Sequence, residues 1–287
     1  MFTTVSVNDW DEACSIGSAL FGWGFRGHFS SDWTLEPTLA RTAKQFECRA
    51  DWLNHREYWM LRQFQRRFPA YIRDLPTPKT KLDWLAVMQH YGGVTRLLDF
   101  SYSFYVAAFF AIERANEDAA IWAVNRSVMN KIIAATLGYE EAADSDQANI
   151  LNAKYVERGL GLKQAPKAST ALVLPVEPEY LHDRLTSQQG FFLCPIDLLS
   201  SFQQNLEKML GLPVGTLNKK GQVAWSQVAS RLNTFTVLKV IIPRKIQAHA
   251  AKDLQLMNIN SNTLFPGLDG YARSMLIHLR VLPDDRL

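Results

Sequence analysis

Apolar and polar positions change period several times along this chain, and the changes divide it into helices and strands. The stretch "VSVNDWDEACSIGSAL" reads as a capped helix, with Asn8 or Asp9 placed to accept from free N–H groups and Asp11 and Glu12 in the first turn. "GWGFRGHFS" reads as a short strand, and "TLEPTLAR" as a turn into a helix, Pro37 suiting the first helical turn. From Thr42 to about Arg73 one long helical region is expected. Leu53, Tyr58, Leu61, Phe64 and Phe68 make its apolar face, and Arg56, Arg62, Arg66, Arg67 and Arg73 its outer face. "DLPTPKT" is a proline-rich linker. "KLDWLAVMQHYGG" is a helix stopped by Gly92 and Gly93, "VTRLLDFS" a short extended piece, and "SFYVAAFFAIERA" a helix apolar enough to be buried on most sides.

"AAIWAV", "STALVLPV" and "TFTVLKVIIP" have the β-branched, apolar character of strands, and "FFLCPI" is a further candidate. "IDLLSSFQQNLEKMLG" and "RKIQAHAAKDLQLMN" are helical, and "TLFPGLDGYARSMLIHLR" is a loop leading into a helix. Strands and helices are interspersed, which sets the class as mixed α+β with a small central sheet surrounded by helices. No repeat, low-complexity tract or strong linker divides residues 1–287, so a single compact domain is expected.

Composition narrows the classes further. The 287 residues are 47% hydrophobic and 21% charged, with a formal net charge of +3, too small to argue by itself for nucleic acid. Cys14, Cys48 and Cys194 are odd in number and far apart, with no spacing that suits zinc; buried reduced thiols are expected, and no metal. No signal peptide pattern and no membrane-length apolar run is visible, so the expected location is the cytoplasm.

The usual catalytic motifs are missing: there is no P-loop, no HExxH and no GxSxG. "GWGFRG" fits GxGxxG by chance, with Trp and Phe where phosphates would approach. The densest polar set is "QHYGGVTRLLDFSYS": Gln89, His90, Tyr91, Thr95, Arg96 and Asp99 lie within eleven residues around a glycine pair, between two apolar helices. Such a loop is where sites are built, and glycines let backbone N–H groups approach a phosphate. The plainer alternative is a local Arg96–Asp99 ion pair, with His90 at a helix end. Arg26 is a permanent cation set into an apolar strand, and Arg41 closes the same stretch. In "RLTSQQGFFL", Arg184 and Gln188 share a face if helical. "TLFPGLDG", with Asp269, has complete turn chemistry.

Phe25-Arg26-Gly27, "W.LEPTLAR", "MQHYGGVTRLLDFSYSFYVAAFFA" and "RLTSQQGFF" together resemble the FRG domain, named for its Phe-Arg-Gly tripeptide. The resemblance runs from about Phe21 to Phe192, with residues 193–287 as a C-terminal portion packed on it. His28 stands where glutamine is common in the family, and Phe100-Ser101 where a Trp-Thr pair is common. FRG domains occur in bacterial and phage proteins, some with a suspected role in defence or toxicity. By analogy, "FRG" after a short strand is similar to the arginine-glycine signature of ADP-ribosyltransferases, in which an arginine grips NAD phosphates. That analogy implies NAD as the ligand, bound by Arg26, Gly27, Gln89, Tyr91, Thr95 and Arg96. Asp99, His90 and Gln188 would be the catalytic set, with Arg41 and Arg184 toward the substrate or partner. The chain departs from that pattern where a late glutamate is expected: it offers Gln188, which can hydrogen-bond a ribose but carries no charge. Two other readings stand beside this one. A nucleic-acid module or nuclease would use the Arg56–Arg73 series, with Tyr58, Trp59, Phe64 and Phe68 interleaved. A non-catalytic scaffold would hold the FRG residues as a buried polar network.

Overall fold

A computed structural model of the chain describes residues 1–72, 77–139, 145–160, 171–179 and 183–280. Its strands are β1 (Phe2–Ser6), β2 (Gly24–His28), β3 (Leu98–Ser101), β4 (Ala119–Val124), β5 (Val173–Val176), β6 (Gly190–Pro195), β7 (Gln222–Val223) and β8 (Val237–Ile242). The helices up to the middle of the chain are α1 (Trp10–Ala19), α2 (Thr38–Gln45), α3 (Leu53–Tyr71), α4 (Lys81–His90), α5 (Phe104–Ile112), α6 (Arg126–Leu137) and α7 (Ser145–Gly159). They are followed by α8 (Asp183–Ser187), α9 (Phe202–Met209), α10 (Trp225–Ala229), α11 (Gln247–Leu256), α12 (Ser261–Leu264), α13 (Leu268–Ser274) and α14 (Ile277–Arg280).

The strands form one open eight-stranded sheet in the order β5-β6-β3-β2-β4-β8-β1-β7, larger than the small sheet expected. β1 runs parallel to β8 and β7, and the other pairings are antiparallel. All six residues of β4 are buried, as a central strand covered on both faces requires. One core, built from α1, α5 and α11, covers one face. A second, built from α4, α6, α7 and α9, covers the other. The class is mixed α+β.

Several local expectations hold. Asp9 caps α1 by accepting from the Glu12 N–H. Thr80 and Asp83 make a capping box on α4. Gly92 ends α4 with φ +84°, and Gly93 N–H closes back on the Met88 carbonyl at 2.8 Å, a Schellman end.

The long helix expected from Thr42 is broken. α2 stops at Gln45 because Glu47 takes φ +52°, with Glu47 N–H bonded to the Lys44 carbonyl and Cys48 N–H to that of Ala43. This is a Schellman end with glutamate in the position glycine normally takes. A 3₁₀ turn at Ala50–Trp52 then leads into α3. Arg73, the last basic residue expected on that face, lies outside the described residues, as do parts of the "DLPTPKT" and "STALVLPV" stretches. Cys194 is buried as expected, whereas Cys14 and Cys48 are only half-buried; none is paired.

Candidate functional site

The Phe-Arg-Gly tripeptide sits on β2, where alternation sends successive side chains to opposite faces. Phe25 packs edge-to-face on Phe104 of α5, ring centroids 5.6 Å apart. Gly27 lies so near the same helix that a Cβ there would stand 2.0 Å from the Ala107 carbonyl oxygen and 2.4 Å from the Ala111 nitrogen. The glycine is therefore required by helix–strand contact. It also lines the cleft described below.

Arg26 emerges where the sheet opens. β2 and β3 pair at Phe25↔Ser101, and the carbonyl of Asp99, two residues before Ser101, accepts from Arg26 Nη1 at 2.7 Å. The same Nη1 lies 3.5 Å from Asp99 Oδ2. Arg26 Nε donates to His28 Nε2 at 3.1 Å. Arginine only donates, so that imidazole nitrogen must be the acceptor and the proton sits on Nδ1. Burial pushes the His28 pKa well below its ordinary value, and the charges of Arg26, Lys239 and Arg41 push the same way against the Trp33 backbone. His28 is thus a neutral acceptor. Burial also pulls the Arg26 pKa down; Asp99 offsets this and Arg41 adds to it.

Asp99 is held from the other side by Gln89 at the end of α4. Gln89 Nε2 donates to Asp99 Oδ1 at 2.7 Å, and its Oε1 accepts from the Thr95 hydroxyl. The Thr95 Oγ1 in turn accepts from Leu97 N–H at 3.1 Å. The Asp99 side chain remains 63% exposed, against 17% for Arg26, so its carboxylate faces open space while the cation behind it does not.

That space is a cleft of about 770 Å³, within the roughly 300–1,000 Å³ usual for small-molecule sites. Arg26, Gly27, His28, Gln89, His90 and Asp99 line it, as do Arg41 from α2 and Arg184 and Gln188 from the α8 turn. Burial lowers the Arg184 pKa; Asp99 opposes that and Arg273 reinforces it. The Arg184 guanidinium lies over the Phe265 ring, 4.5 Å from its centroid. Gln188 Nε2 donates to the Leu264 carbonyl at 3.0 Å, and its own backbone carbonyl accepts from the Ser101 hydroxyl at 2.8 Å. These bonds fasten the α8 turn to β3 and to the "TLFPGLDG" segment. His90 is half-buried, and burial lowers its pKa, as does Arg184.

Three expected residues are placed elsewhere. Arg96 is buried and does not line the cleft. Its Nε donates to Glu57 Oε2 at 2.6 Å and its Nη2 to Asn54 Oδ1 at 2.8 Å, so its countercharge is Glu57 and not the neighbouring Asp99. Thr95 is buried and acts through Gln89. Tyr91 is 53% exposed and lies outside the cleft lining. Sequence reasoning missed the aromatic wall: Phe29, Trp33 and Phe110 line the cleft, with Trp33 edge-to-face on His28 at 6.0 Å. The signal was "HFSSDW", an aromatic pair in a polar loop straight after the arginine strand.

Residues 22–120 match the family model of the FRG domain. The chain carries an FRG domain. The matched residues hold Phe25, Arg26, Gly27, Arg41, Gln89 and Asp99, and so most of the cleft floor. Arg184 and Gln188 come to the FRG cleft from outside the match. Comparison with curated proteins and with solved structures found no match. Among the described residues no group of three or more His, Cys, Asp or Glu could hold a metal ion, and no helix is long and apolar enough to cross a membrane.

Proposed function

We infer that the cleft binds a phosphorylated nucleotide of the NAD type and cleaves it, or transfers its ADP-ribose, with Asp99 as the reacting carboxylate. One observation carries this reading: Arg26 and Arg41 of one stretch and Arg184, far from them in sequence, line one cleft around the exposed carboxylate of Asp99. Guanidinium groups suit a pyrophosphate because their planar fork gives parallel charge-assisted hydrogen bonds. Arg26 Nη2 and the Arg41 side chain have no hydrogen-bond or ion-pair partner among the described residues, so both can donate to an incoming anion. The Trp33 and Phe110 rings offer flat apolar walls for a base.

NAD supplies an activated bond, because its cationic nicotinamide ring leaves as a neutral molecule. Its ribose C1′–N bond breaks, nicotinamide leaves with the electron pair, and an oxygen of water or of an acceptor bonds to C1′. Asp99 supplies negative charge toward the carbon that becomes positive, and takes the acceptor's proton. Its carboxylate is pre-oriented by Gln89 and Arg26, so little reorganisation is needed. Gln188 and His90 would hold ribose hydroxyls. Asp99 thus takes the role that an uncharged Gln188 cannot fill.

The test is direct. The wild-type protein and the variants Arg26→Ala and Asp99→Asn are incubated with NAD, nicotinamide release is followed by chromatography, and melting is followed with NAD and with ADP-ribose. The expected result is a thermal shift and nicotinamide release for wild type. Asp99→Asn should keep the shift but lose release at least 100-fold, by analogy with loss of one preorganised electrostatic group. Neither shift nor release with any tested acceptor would remove the reading. A cell that makes the active protein should also grow more slowly than one making Asp99→Asn, as a toxicity or defence role requires.

A further inference from the structure

The arginine series of α3 is not used by the cleft, and the fold arranges it into a surface. At 100° per residue, Leu53, Asn54, Glu57, Leu61 and Phe68 fall on one side of α3, and these are its buried residues. Phe64 and Phe68 pack edge-to-face on Trp84 of α4, at 6.2 and 5.1 Å, so two of the aromatics interleaved with the arginines belong to the core. The opposite side carries Arg56, Trp59, Arg62, Arg66 and Arg67, all exposed and within an arc of about 140°, and the exposed Trp52, the N-cap residue of α3, falls within the same arc. Trp52 and Trp59 are 48% and 55% exposed, a high exposure for indole rings.

Among the described residues, the charge on this face is uncompensated. α3 contains one acidic residue, Glu57, whose carboxylate is 3% exposed and bound to the buried Arg96. None of the four outward arginines has a carboxylate partner among the described residues. Arg56 lies over the Trp52 ring at 5.4 Å, and Arg62 donates to the Tyr58 hydroxyl at 3.3 Å. The buried ion pair thus neutralises α3 on its inner side and leaves a net +4 on its outer side.

We propose that the outer face of α3 binds single-stranded nucleic acid, its guanidinium groups on phosphates and the Trp52 and Trp59 indoles stacked on bases. Each half of that chemistry excludes other anionic partners. The two indoles stand seven residues apart, about 10 Å along the helix, a spacing that suits successive unpaired bases with phosphates between them. A duplex keeps its bases stacked and offers the indoles only its edges. An anionic membrane would need an apolar helix face to insert, and the apolar face of α3 is already packed on α4. An acidic peptide would satisfy the arginines without using the rings.

The test uses the full chain with fluorescein-labelled oligothymidylate of twenty nucleotides and anisotropy at 50–200 mM salt. Binding should weaken with a log–log salt slope of about −2 to −3, since single strands contribute roughly −0.7 per phosphate contacted. The double variant Arg66→Gln/Arg67→Gln should flatten that slope by about 1.4. Trp59→Ala should weaken binding roughly tenfold or more, while Trp59→Phe retains most of it. All these positions are exposed, so melting temperatures should stay at the wild-type value and separate lost contact from lost fold. No binding at 50 mM salt overturns the proposal. So does binding that Trp59→Ala leaves unchanged, or that an equal concentration of polyglutamate abolishes while duplex of the same length binds as tightly: those results would assign the face to acidic partners in general.

Discussion

Replacing Gly27 with alanine separates two jobs that a glycine beside Arg26 could have. If its job were to let backbone approach a ligand, alanine would harm binding and leave the fold intact. The packing says otherwise. The new methyl would meet the Ala107 carbonyl oxygen at 2.0 Å and the Ala111 nitrogen at 2.4 Å, and both atoms belong to the backbone of α5, which is nearly all buried. No side-chain rotation relieves such a contact; strand and helix must separate. Overpacking ordinarily costs about 1–3 kcal/mol, and a clash with backbone belongs at or above the upper end. For 287 residues the unfolding entropy near the midpoint is about 0.6 kcal/mol/K, so 3 kcal/mol lowers Tm by about 5 °C. Gly92→Ala is the matched control: φ there is +84° with nothing within 4 Å of the new methyl, so only backbone strain of about 1–2 kcal/mol, or 2–3 °C, applies. Differential scanning calorimetry should rank Gly27→Ala well below Gly92→Ala. A Gly27→Ala protein that melts within 2 °C of wild type would refute the packing argument and return the glycine to the ligand.

Other consequences can be measured alongside. Glu57→Gln leaves the buried Arg96 charge uncompensated and should cost about 3–5 kcal/mol, a Tm loss of about 5–8 °C, with Arg96→Met milder because the uncompensated carboxylate can take up a proton. His28 is held neutral in the fold, with its pKa below the unfolded value near 6.5. The unfolded state therefore binds more protons below that pH, and stability should fall as pH drops from about 6.5, by up to about 1.4 kcal/mol per unit from this residue. His28→Gln, which can still accept from Arg26, should flatten that part of the urea-denaturation pH profile. Gln89→Leu removes the bond to Asp99 Oδ1 and should lower nicotinamide release about 10- to 100-fold with little change in the NAD thermal shift.

What could be read from the sequence was local. β2, β4, β8, α4 and α5 follow from composition and end signals within a dozen residues. β1 merges in sequence with the lead of α1 because its partners β8 and β7 are more than two hundred residues away, and its two threonines and valine make too short a run. The break after α2 carries no sequence signal because glutamate rarely takes the left-handed conformation that ends it. The site divided the same way. Arg26, Gln89, Asp99, Arg184 and Gln188 stand out in the sequence as polar groups on apolar backgrounds, and all of them line the cleft. Arg96 shares that signature yet faces inward, since only the fold reveals that Glu57 of α3 waits for it. The aromatic wall has only the weak signal of "HFSSDW", because exposed and core rings look alike in sequence, as α3 shows twice over.

The Asp99 carboxylate fixes the direction of the relay behind it. A carboxylate only accepts, so Gln89 must turn its amide hydrogens toward Asp99, and its Oε1 is left to accept from the Thr95 hydroxyl, whose oxygen also accepts from Leu97 N–H. The Asp99 oxygens are left seeking donors at the centre of the cleft, while the guanidinium groups around them seek acceptors. A ligand with hydroxyls toward Asp99 and anionic oxygens toward the guanidinium groups would match this polarity, and the reverse arrangement would set like against like at the charged groups.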